Sequence, residues 1–161
     1  MFKKKLKYLR SYLKYKDKIY SYFWYRTGGR QEVAEDLTQE VFLKAWKEYH
    51  HFLEGRPFQS WIYRIAHNHL IDYYRTSKKN YKLDDMTRSL SAKDNKTFEL
   101  KQLLDQLPER EREIIILKYI FGYNYEEIGE MTNQSKGSAR VTAHRALKKL
   151  RIKNSEEYEV P

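Results

Sequence analysis

Cationic side chains recur at helical spacing near the carboxyl end of the chain, and they have the clearest capacity for chemistry. The row consists of Lys136, Arg140, His144, Arg145 and Lys148. Guanidinium, ammonium and imidazole groups donate hydrogen bonds to phosphate oxygens and to base edges. Between Met131 and Ser155 the chain carries seven Lys or Arg and no acid. This pattern predicts nucleic-acid contact, and a solvated basic face that complements the helix dipole is the alternative.

Two short helices joined by a tight turn must position this row. Asn124 and Glu127 have the spacing of a capping box at the start of the first helix. Asn133 stands at the turn, since Asn tolerates a left-handed backbone, and Ser135 caps the second helix. That helix would bury, at helical spacing, Ala139, Ala143, Ala146, Leu147 and Leu150. A helix with a small-residue back and a basic front is suited to a DNA major groove.

Two further helices, 97–106 and 108–121, are predicted before this pair. Pro108 suits the first position of a helix, and Gly122 ends the second one. Together they supply a small core on which the helix-turn-helix can fold, made of Leu100, Leu103, Leu104, Leu107, Ile114, Ile115, Leu117 and Tyr119.

A second group of candidate binding residues lies around an aromatic-rich helix that begins with Ser60 as its cap and runs to Arg75. Gly55 and Pro57 make the preceding segment, 52–59, a loop. The predicted inner face comprises Ile62, Ile65, Ala66, His69 and Tyr73. The residues expected elsewhere on the helix are Trp61, Tyr63, Arg64, His67 and Asn68. Aromatic rings beside Arg and Asn suit unpaired bases, where each stack contributes about 1–3 kcal/mol. A packed aromatic core helix is the alternative.

An acidic helix is predicted from Gln31 to His50. Its buried stripe comprises Val33, Leu37, Val41, Ala45 and Tyr49, with Phe42 and Trp46 alongside. The outward faces carry Glu32, Asp36, Gln39, Glu40, Leu43 and Lys44. Acids in the first turns are favoured by the helix dipole alone, and a docking surface for a basic partner is the second interpretation.

The first helix, predicted over residues 2–26, is rich in lysine. Residues 1–30 hold ten Lys or Arg and one Asp, so most of the formal charge of +10 lies there. Its apolar residues near helical spacing are Phe2, Leu6, Leu9, Leu13, Ile19 and Phe23. Such a helix could lie on a membrane surface. We expect instead that it packs on the next helix, with its lysines toward solvent or nucleic acid, and that Gly28 and Gly29 end it.

Length and composition limit the classes of protein. A chain of 161 residues forms one ordinary domain or two small ones. The absence of cysteine excludes disulfides and cysteine-based zinc sites. No apolar run approaches a membrane span, and the basic start lacks the apolar core of a signal peptide, so we expect a soluble, cytoplasmic protein. Glu48 and His51 have the spacing of a di-iron ligand pair, but they form the one such pair, so we expect no metal and no other cofactor.

The predicted fold is all-α, with two small helical domains joined by a flexible linker. The first domain spans 1–75 and the second 97–153. Residues 76–96 are polar and without period, which is typical of a linker. Residues 154–161 form a short acidic tail that we expect to be disordered.

Both halves, in this order, resemble sigma factors of the extracytoplasmic-function group of the sigma-70 family. EDLTQEVFLKAWKEYHHF followed by FQSWIYRIAHNHLIDYYR resembles sigma domain two. LPEREREIIILKYIFGYNYEEIGE with SKGSARVTAHRALKKLR resembles sigma domain four. The similarity extends over most of the chain. It implies a protein without enzymatic activity that binds bacterial RNA polymerase core, directs it to promoters and helps open the DNA.

The resemblance also assigns residues to contacts. Those expected to face the clamp helices of the largest polymerase subunit are Asp36, Gln39, Glu40, Leu43 and Trp46. Those expected to read and hold a flipped base of the minus-ten element are Leu53, Glu54, Gly55, Arg56, Phe58, Trp61, Arg64 and Asn68. Those expected to contact the minus-thirty-five duplex are Lys136, Ser138, Arg140, His144 and Arg145. Residues 76–96 would run in the RNA exit path. A membrane-anchored anti-sigma factor often holds such proteins inactive.

Four features depart from the family pattern. Thr132 and Gln134 stand where apolar residues are usual, which predicts a less tightly packed turn. Asn133 replaces the usual glycine, a change that backbone sterics permit. Thr142 occupies a position that is frequently Arg, which weakens one expected DNA contact. The loop 53–56 (LEGR) differs from common family loops, so its preferred base is open.

Two other classes of function fit parts of the sequence. A stand-alone helix-turn-helix regulator would bind DNA with its C-terminal half, while its N-terminal half senses or dimerises. A helical metalloenzyme would use Glu48 and His51, and it would carry bound metal.

Overall fold

The computed structural model describes residues 1–52, 55–77 and 95–158, and within them the side chains of 1–52, 55–77 and 99–152. Every regular element in this part of the chain is helical. The chain divides into two compact units, Met1–Ser91 and Ala92–Pro161. The predicted all-α class with two helical domains is confirmed. The division falls inside the range predicted as linker, of which 78–94 lies outside the described residues.

The first unit contains three long helices, α1 (Phe2–Arg26), α2 (Gln31–Glu48) and α3 (Phe58–Ser77). Gly28 and Gly29 follow α1 with φ of 74° and 76°, a region that glycine enters without a steric penalty. The amide of Gly29 donates to the carbonyl of Trp24 at 2.9 Å, which closes the end of α1. A single 3-10 turn, Tyr49–His51, follows α2.

These three helices pack around one apolar core. Its largest fully buried side chains include Tyr22, Phe23, Val41, Ile62 and Leu70. The small residues Ala34, Ala45 and Ala66 are also fully buried, which lets the helices approach closely. Four of the five residues of the predicted α2 stripe are buried, namely Leu37, Val41, Ala45 and Tyr49. The fifth, Val33, is half-exposed, and Ala34 is buried in its place.

The inner face of α1 differs from the predicted face in its N-terminal half. The stripe residues that lie exposed are Phe2, Leu6, Leu9 and Leu13. Tyr8 and Tyr12 face α2 instead, with ring centroids 4.9 Å from those of Trp46 and Phe42, respectively. The hydroxyl of Tyr8 donates to the carbonyl of Phe42. A tyrosine ring buries a large area while its hydroxyl keeps a partner, so the tyrosines here displace the leucines from the interface.

Helix α3 begins earlier than predicted. It starts at Phe58, and Ser60 is buried within its first turn, so Ser60 is not the helix cap. Pro57 directly precedes the helix, where its missing amide removes no helical hydrogen bond. The start is therefore set by the proline and not by the serine.

The buried face of α3 is also rotated from the predicted one. Tyr63 and Leu70 are buried, whereas His69 and Tyr73 are half-exposed. The ring of Tyr63 meets that of Tyr22 edge-on at 5.3 Å. This aromatic contact with α1 turns Tyr63 inward.

The second unit contains α4 (Asn95–Asp105), α5 (Glu109–Ile115), α6 (Tyr125–Thr132) and α7 (Lys136–Tyr158). A π-helical turn, Ile116–Ile120, continues α5. Pro108 is the N-cap of α5 and not its first helical residue, because its ψ of 150° is extended. Gly122 follows the π-helical turn with φ of 74°.

Helix α7 extends into the range predicted to be a disordered tail. It continues to Tyr158, and residues 159–161 lie outside the described residues. No glycine or proline occurs in 154–158 to end the helix.

The core of the second unit gathers apolar side chains from all four helices. Ile114, Ile116 and Ile128 have no exposed surface. Arg112 donates to the carbonyls of Leu104 at 2.9 Å and Leu107 at 3.0 Å, which ties the α4–α5 connection to α5.

The predicted helix-turn-helix geometry is confirmed at each of its three capping positions. Asn124 Oδ1 accepts from the amide of Glu127 at 2.8 Å, and Glu127 Oε2 accepts from the amide of Asn124 at 3.0 Å. Asn133 adopts the left-handed conformation, with φ of 55° and ψ of 48°. Ser135 Oγ accepts from the amide of Ser138 at 3.0 Å.

The conformation of Asn133 leads to a stability prediction. Asn133→Ala should lower the free energy of unfolding by about 1–2 kcal/mol, because a Cβ without a local hydrogen bond is disfavoured there. Asn133→Gly should leave the free energy of unfolding unchanged or raise it. Urea unfolding followed by circular dichroism measures both. An equal loss in the two variants would contradict the backbone explanation and assign the stabilisation to the Asn side chain.

Candidate functional site

The basic face of α7 is positioned by the buried alanines behind it. Ala139, Ala143 and Ala146 have no exposed surface. The predicted DNA-contacting residues that lie exposed are Lys136, Arg140, His144 and Arg145, and Ser138 is half-exposed. A helix closely packed on one side and cationic on the other presents its side chains as a groove-binding helix requires.

Tyr125, at the start of α6, holds one member of this face. The guanidinium carbon of Arg140 lies 5.6 Å from the ring centroid of Tyr125, and Lys118 Nζ lies 4.5 Å from it. Cations over an aromatic face are attracted by its quadrupole. Burial raises the pKa of Tyr125 and neighbouring Tyr119 raises it further, while Arg140 lowers it. Arg140 is therefore oriented by the helix before the turn.

A hydrogen-bonded network occupies the turn, where the sequence predicted looser packing. Gln134 Nε2 donates to Thr132 Oγ1 at 2.7 Å, and Ser138 Oγ donates to Gln134 Oε1 at 3.1 Å. Arg110 Nη2 donates to the same oxygen at 3.3 Å. Thr132 and Gln134, the two polar residues that depart from the family pattern, thus bind each other. Gln134 also links Arg110 of α5 to Ser138 in the first turn of α7.

Sequence reasoning missed one exposed position next to this network. Val141 is 50% exposed on α7 among the cationic residues. It lines an open cleft of about 530 Å³, together with Arg110, Ser138, Thr142 and Arg145. An exposed aliphatic group beside donors is suited to a thymine methyl. The feature of the sequence that could have predicted this exposure is that Val141 falls outside the alanine stripe of α7.

The residues assigned to a flipped base fall into three groups in the first unit. Those that lie exposed are Gly55, Arg56, Arg64 and Asn68, while Phe58 and Trp61 are half-buried. Leu53 and Glu54 lie outside the described residues. Gly55 has φ of 101°, and there is open space where its Cβ would lie. Arg64 and Asn68 are one helical turn apart, so they extend along the same side of α3.

Trp61 belongs to an aromatic cluster, so it is not a free stacking surface. Its ring centroid lies 5.1 Å from Phe52, 5.5 Å from Phe58 and 6.1 Å from Tyr49. Tyr8 of α1 contacts Tyr49 at 5.1 Å. The ring therefore packs in the fold and is half-buried, and its contact with an unpaired base stays a prediction.

The predicted polymerase-binding residues form one exposed face of α2. All five, Asp36, Gln39, Glu40, Leu43 and Trp46, are exposed. Leu43 is 62% exposed and Trp46 is 39% exposed, so two large apolar side chains lie next to each other on this face. Glu40 Oε2 lies 2.6 Å from His69 Nε2, so α3 holds one carboxylate of this face in position.

Neither a metal centre nor a membrane span is found in the described residues. No group of three or more metal-ligating side chains occurs there, and Glu48 and His51 belong to no such group in this part of the chain. No helix within the described ranges is both long and apolar enough to cross a bilayer.

The fold and site define a two-unit helical protein with a helix-turn-helix of the DNA-binding type. A family model for sigma-70 region 2 matches residues 11–80, and one for sigma-70, region 4, matches residues 97–150. The ECF RNA polymerase sigma factor SigW of Bacillus subtilis is 34% identical over 160 residues, which cover 85% of this chain and 83% of SigW. The RNA polymerase sigma factor SigV of the same organism is 33% identical and covers 79% of each chain.

Two solved structures have the same fold. The sigma factor RpoE of Bartonella quintana, in complex with the anti-sigma factor NepR, matches with a TM-score of 0.73 at 20% identity, covering 91% of this chain and 95% of RpoE. CnrH, in complex with the cytosolic domain of CnrY, matches with a TM-score of 0.72 at 21% identity, covering 92% of this chain and 88% of CnrH.

The chain belongs to the extracytoplasmic-function group of the sigma-70 family and is an RNA polymerase sigma factor. Both sigma regions occur in it in the expected order, so this function is favoured over that of a stand-alone regulator.

The aromatic cluster leads to a second stability prediction. Trp61→Ala should lower the free energy of unfolding by about 1–3 kcal/mol, because three ring contacts are lost at a half-buried position. Asn68→Ala, an exposed change two turns further along α3, should alter it by less than about 0.5 kcal/mol. Thermal or urea unfolding of both variants measures the difference. Equal stability of the two would show that Trp61 does not support the fold.

Proposed function

We propose that this sigma factor binds the polymerase core through the outward face of α2. The observation that supports this is the exposed row of Asp36, Gln39, Glu40, Leu43 and Trp46 on a helix whose opposite face is buried. Carboxylates on a surface attract a basic partner. Exposed Leu43 and Trp46 bury apolar area on contact, and aromatic anchors of this kind contribute strongly to binding. The proposed partner surface is the clamp helices of the largest subunit.

The basic face of α7 is proposed to bind the minus-thirty-five element as duplex. Lys136 lies at the helix N-terminus, close to where phosphate binding is favoured. Arg140, His144 and Arg145 would donate to phosphates and base edges, and Ser138 and Val141 would lie against the groove floor. Phosphate contacts would position the helix and the few base contacts would specify the sequence.

The exposed side of α3 and the preceding loop is proposed to hold a base of the minus-ten element. Arg64 and Asn68 offer donors along one side of α3, Arg56 offers further donors in the loop before it, and Phe58 and Trp61 are half-buried aromatic rings. Flipping a base costs a few kcal/mol, and contact with the exposed parts of these two rings would recover part of that. Leu53 and Glu54 stay predicted members of this site.

Two weak DNA-binding units in one chain raise each other's effective concentration at a promoter. On the polymerase, the predicted linker 76–96 would run in the RNA exit path. In this role the chain itself performs no catalysis and needs no cofactor. It would act in the cytoplasm, at the nucleoid when active.

An anti-sigma factor is proposed as a further partner. RpoE, which shares this fold, is described in complex with the anti-sigma factor NepR, and CnrH is described in complex with the cytosolic domain of CnrY. A partner that covers the face of α2 would compete directly with the polymerase. A membrane-anchored form would keep the sigma factor from the nucleoid until it is released.

Charge reversal on α2 tests the docking proposal. Asp36→Lys with Glu40→Lys should weaken binding to purified polymerase core roughly 100-fold or more, because like charges brought together across an interface cost several kcal/mol. Run-off transcription from a promoter fragment should fall in parallel. Binding is measured with a fluorescently labelled chain titrated with core enzyme.

A matched control reverses two exposed acids on other helices. Asp17→Lys with Asp72→Lys makes the same change in net charge on α1 and α3, and it should leave core binding within about twofold of the original chain. If both double variants lose binding equally, net charge and not the α2 face determines it. If neither loses binding, the docking assignment is wrong.

Substitutions on α7 test the assignment of base contacts. Arg145→Ala or Arg140→Ala in the holoenzyme should cost about 1–3 kcal/mol at one base pair and relax specificity there. Lys148→Ala, which removes an exposed cation one turn further on, should weaken binding about equally on all sequences. Affinity for a set of minus-thirty-five variants measures both effects. Uniform weakening by the arginine variants would mean that they contact phosphate alone.

A further inference from the structure

The N-terminal half of α1 carries an exposed apolar stripe that none of the proposed contacts uses. Its members are Phe2, Leu6, Leu9 and Leu13, which are 74%, 42%, 50% and 55% exposed. Their spacing of four, three and four residues places them in one narrow line along the helix. Single exposed leucines are ordinary on protein surfaces, whereas a continuous line of apolar side chains marks an interaction surface.

The stripe cannot turn inward, because another face of the same helix is already packed. Tyr8 and Tyr12 lie against Trp46 and Phe42 of α2 at ring distances of 4.9 Å. The hydroxyl of Tyr8 also donates to the backbone of α2, and burial of this hydroxyl raises the pKa of Tyr8. Burying the leucines in this unit would require breaking these contacts.

Cationic residues flank the stripe on both sides. On a helical projection Lys3, Lys7, Arg10 and Lys14 lie along one edge and Lys5 and Lys16 along the other. The first acid in the chain is Asp17. An apolar line between two cationic edges is the pattern of helices that lie in the headgroup region of a bilayer, where acyl chains receive the apolar side and anionic headgroups the lysines.

We propose that α1 binds an anionic lipid surface through this stripe. Charge complementarity selects the occupant, since residues 1–16 are cationic without any acid. Duplex DNA would use the lysines but gain nothing from four aligned apolar side chains. A helix bound in this way lies in the plane of the membrane surface and does not cross it. The proposal is independent of the sigma-factor role, since the stripe shares no residue with the proposed polymerase or DNA contacts.

Vesicle co-sedimentation of the full chain tests this proposal. The chain should bind vesicles that mix phosphatidylcholine with phosphatidylglycerol at least about tenfold more tightly than vesicles of phosphatidylcholine alone. Leu6→Glu with Leu9→Glu should reduce binding to the mixed vesicles by about tenfold or more, since two apolar contacts are replaced by charges that anionic lipid repels. Both leucines are exposed, so the thermal unfolding midpoint should not fall.

A matched control places the same two charges on apolar residues elsewhere. Ile71→Glu with Ile152→Glu alters side chains that are 38% and 49% exposed on α3 and α7, and it should leave vesicle binding within about twofold. Equal binding by the leucine variant would overturn the proposal, because the stripe would then make no contact with the lipid. An equal loss in both double variants would also overturn it, because net charge would then be responsible. A failure of the original chain to bind mixed vesicles would also overturn the proposal. In that case, a leucine variant that abolishes self-association or binding to duplex DNA would assign the stripe to that contact instead.

Discussion

The close packing of α7 through three alanines is the contact on which the DNA-binding half of this protein depends. Ala139, Ala143 and Ala146 are completely buried. Because side chains project from a helix at fixed angular intervals, burying these three sets the direction of all the others. Arg140, His144 and Arg145 face solvent as a consequence. Larger side chains at the alanine positions would move the helix away from its neighbours and turn the cationic groups with it.

In helix α2, burial of one face likewise fixes the direction of the side chains on the other face, which here is acidic. Ala34, Val41 and Ala45 are fully buried against α1 and α3. The acids and the exposed Leu43 and Trp46 therefore have to point outward. In each unit the apolar side of one helix serves stability, and its other side is left available for recognition. This arrangement explains how two small helical units present surfaces of opposite charge to different partners.

Local rules predicted the second unit better than the first. The capping box at Asn124, the left-handed Asn133 and the Ser135 cap depend on residues within a few positions of each other, so sequence spacing was enough. In the first unit the inner face of α1, the start of α3 and the orientation of Tyr63 were predicted wrongly. The inner face of α1 and the orientation of Tyr63 depend on aromatic contacts between helices, where ring size and the partner's position decide which side chain is buried. The start of α3 is set by Pro57, whose effect outweighs the capping preference of Ser60.

The sequence by itself determined that the chain is helical, that it has two units, that its last helices form a helix-turn-helix, and which residue types could bind DNA or a basic partner. Helical period and local hydrogen-bonding chemistry are properties of neighbouring residues, so they can be inferred without a structure. Only the tertiary structure decided that Trp61 is held in an aromatic cluster, that Arg140 lies over Tyr125, and that the leucines of α1 face solvent. These features arise from contacts between helices that are distant in sequence, and the competition among several aromatic and aliphatic side chains for one buried face is settled only when the helices pack.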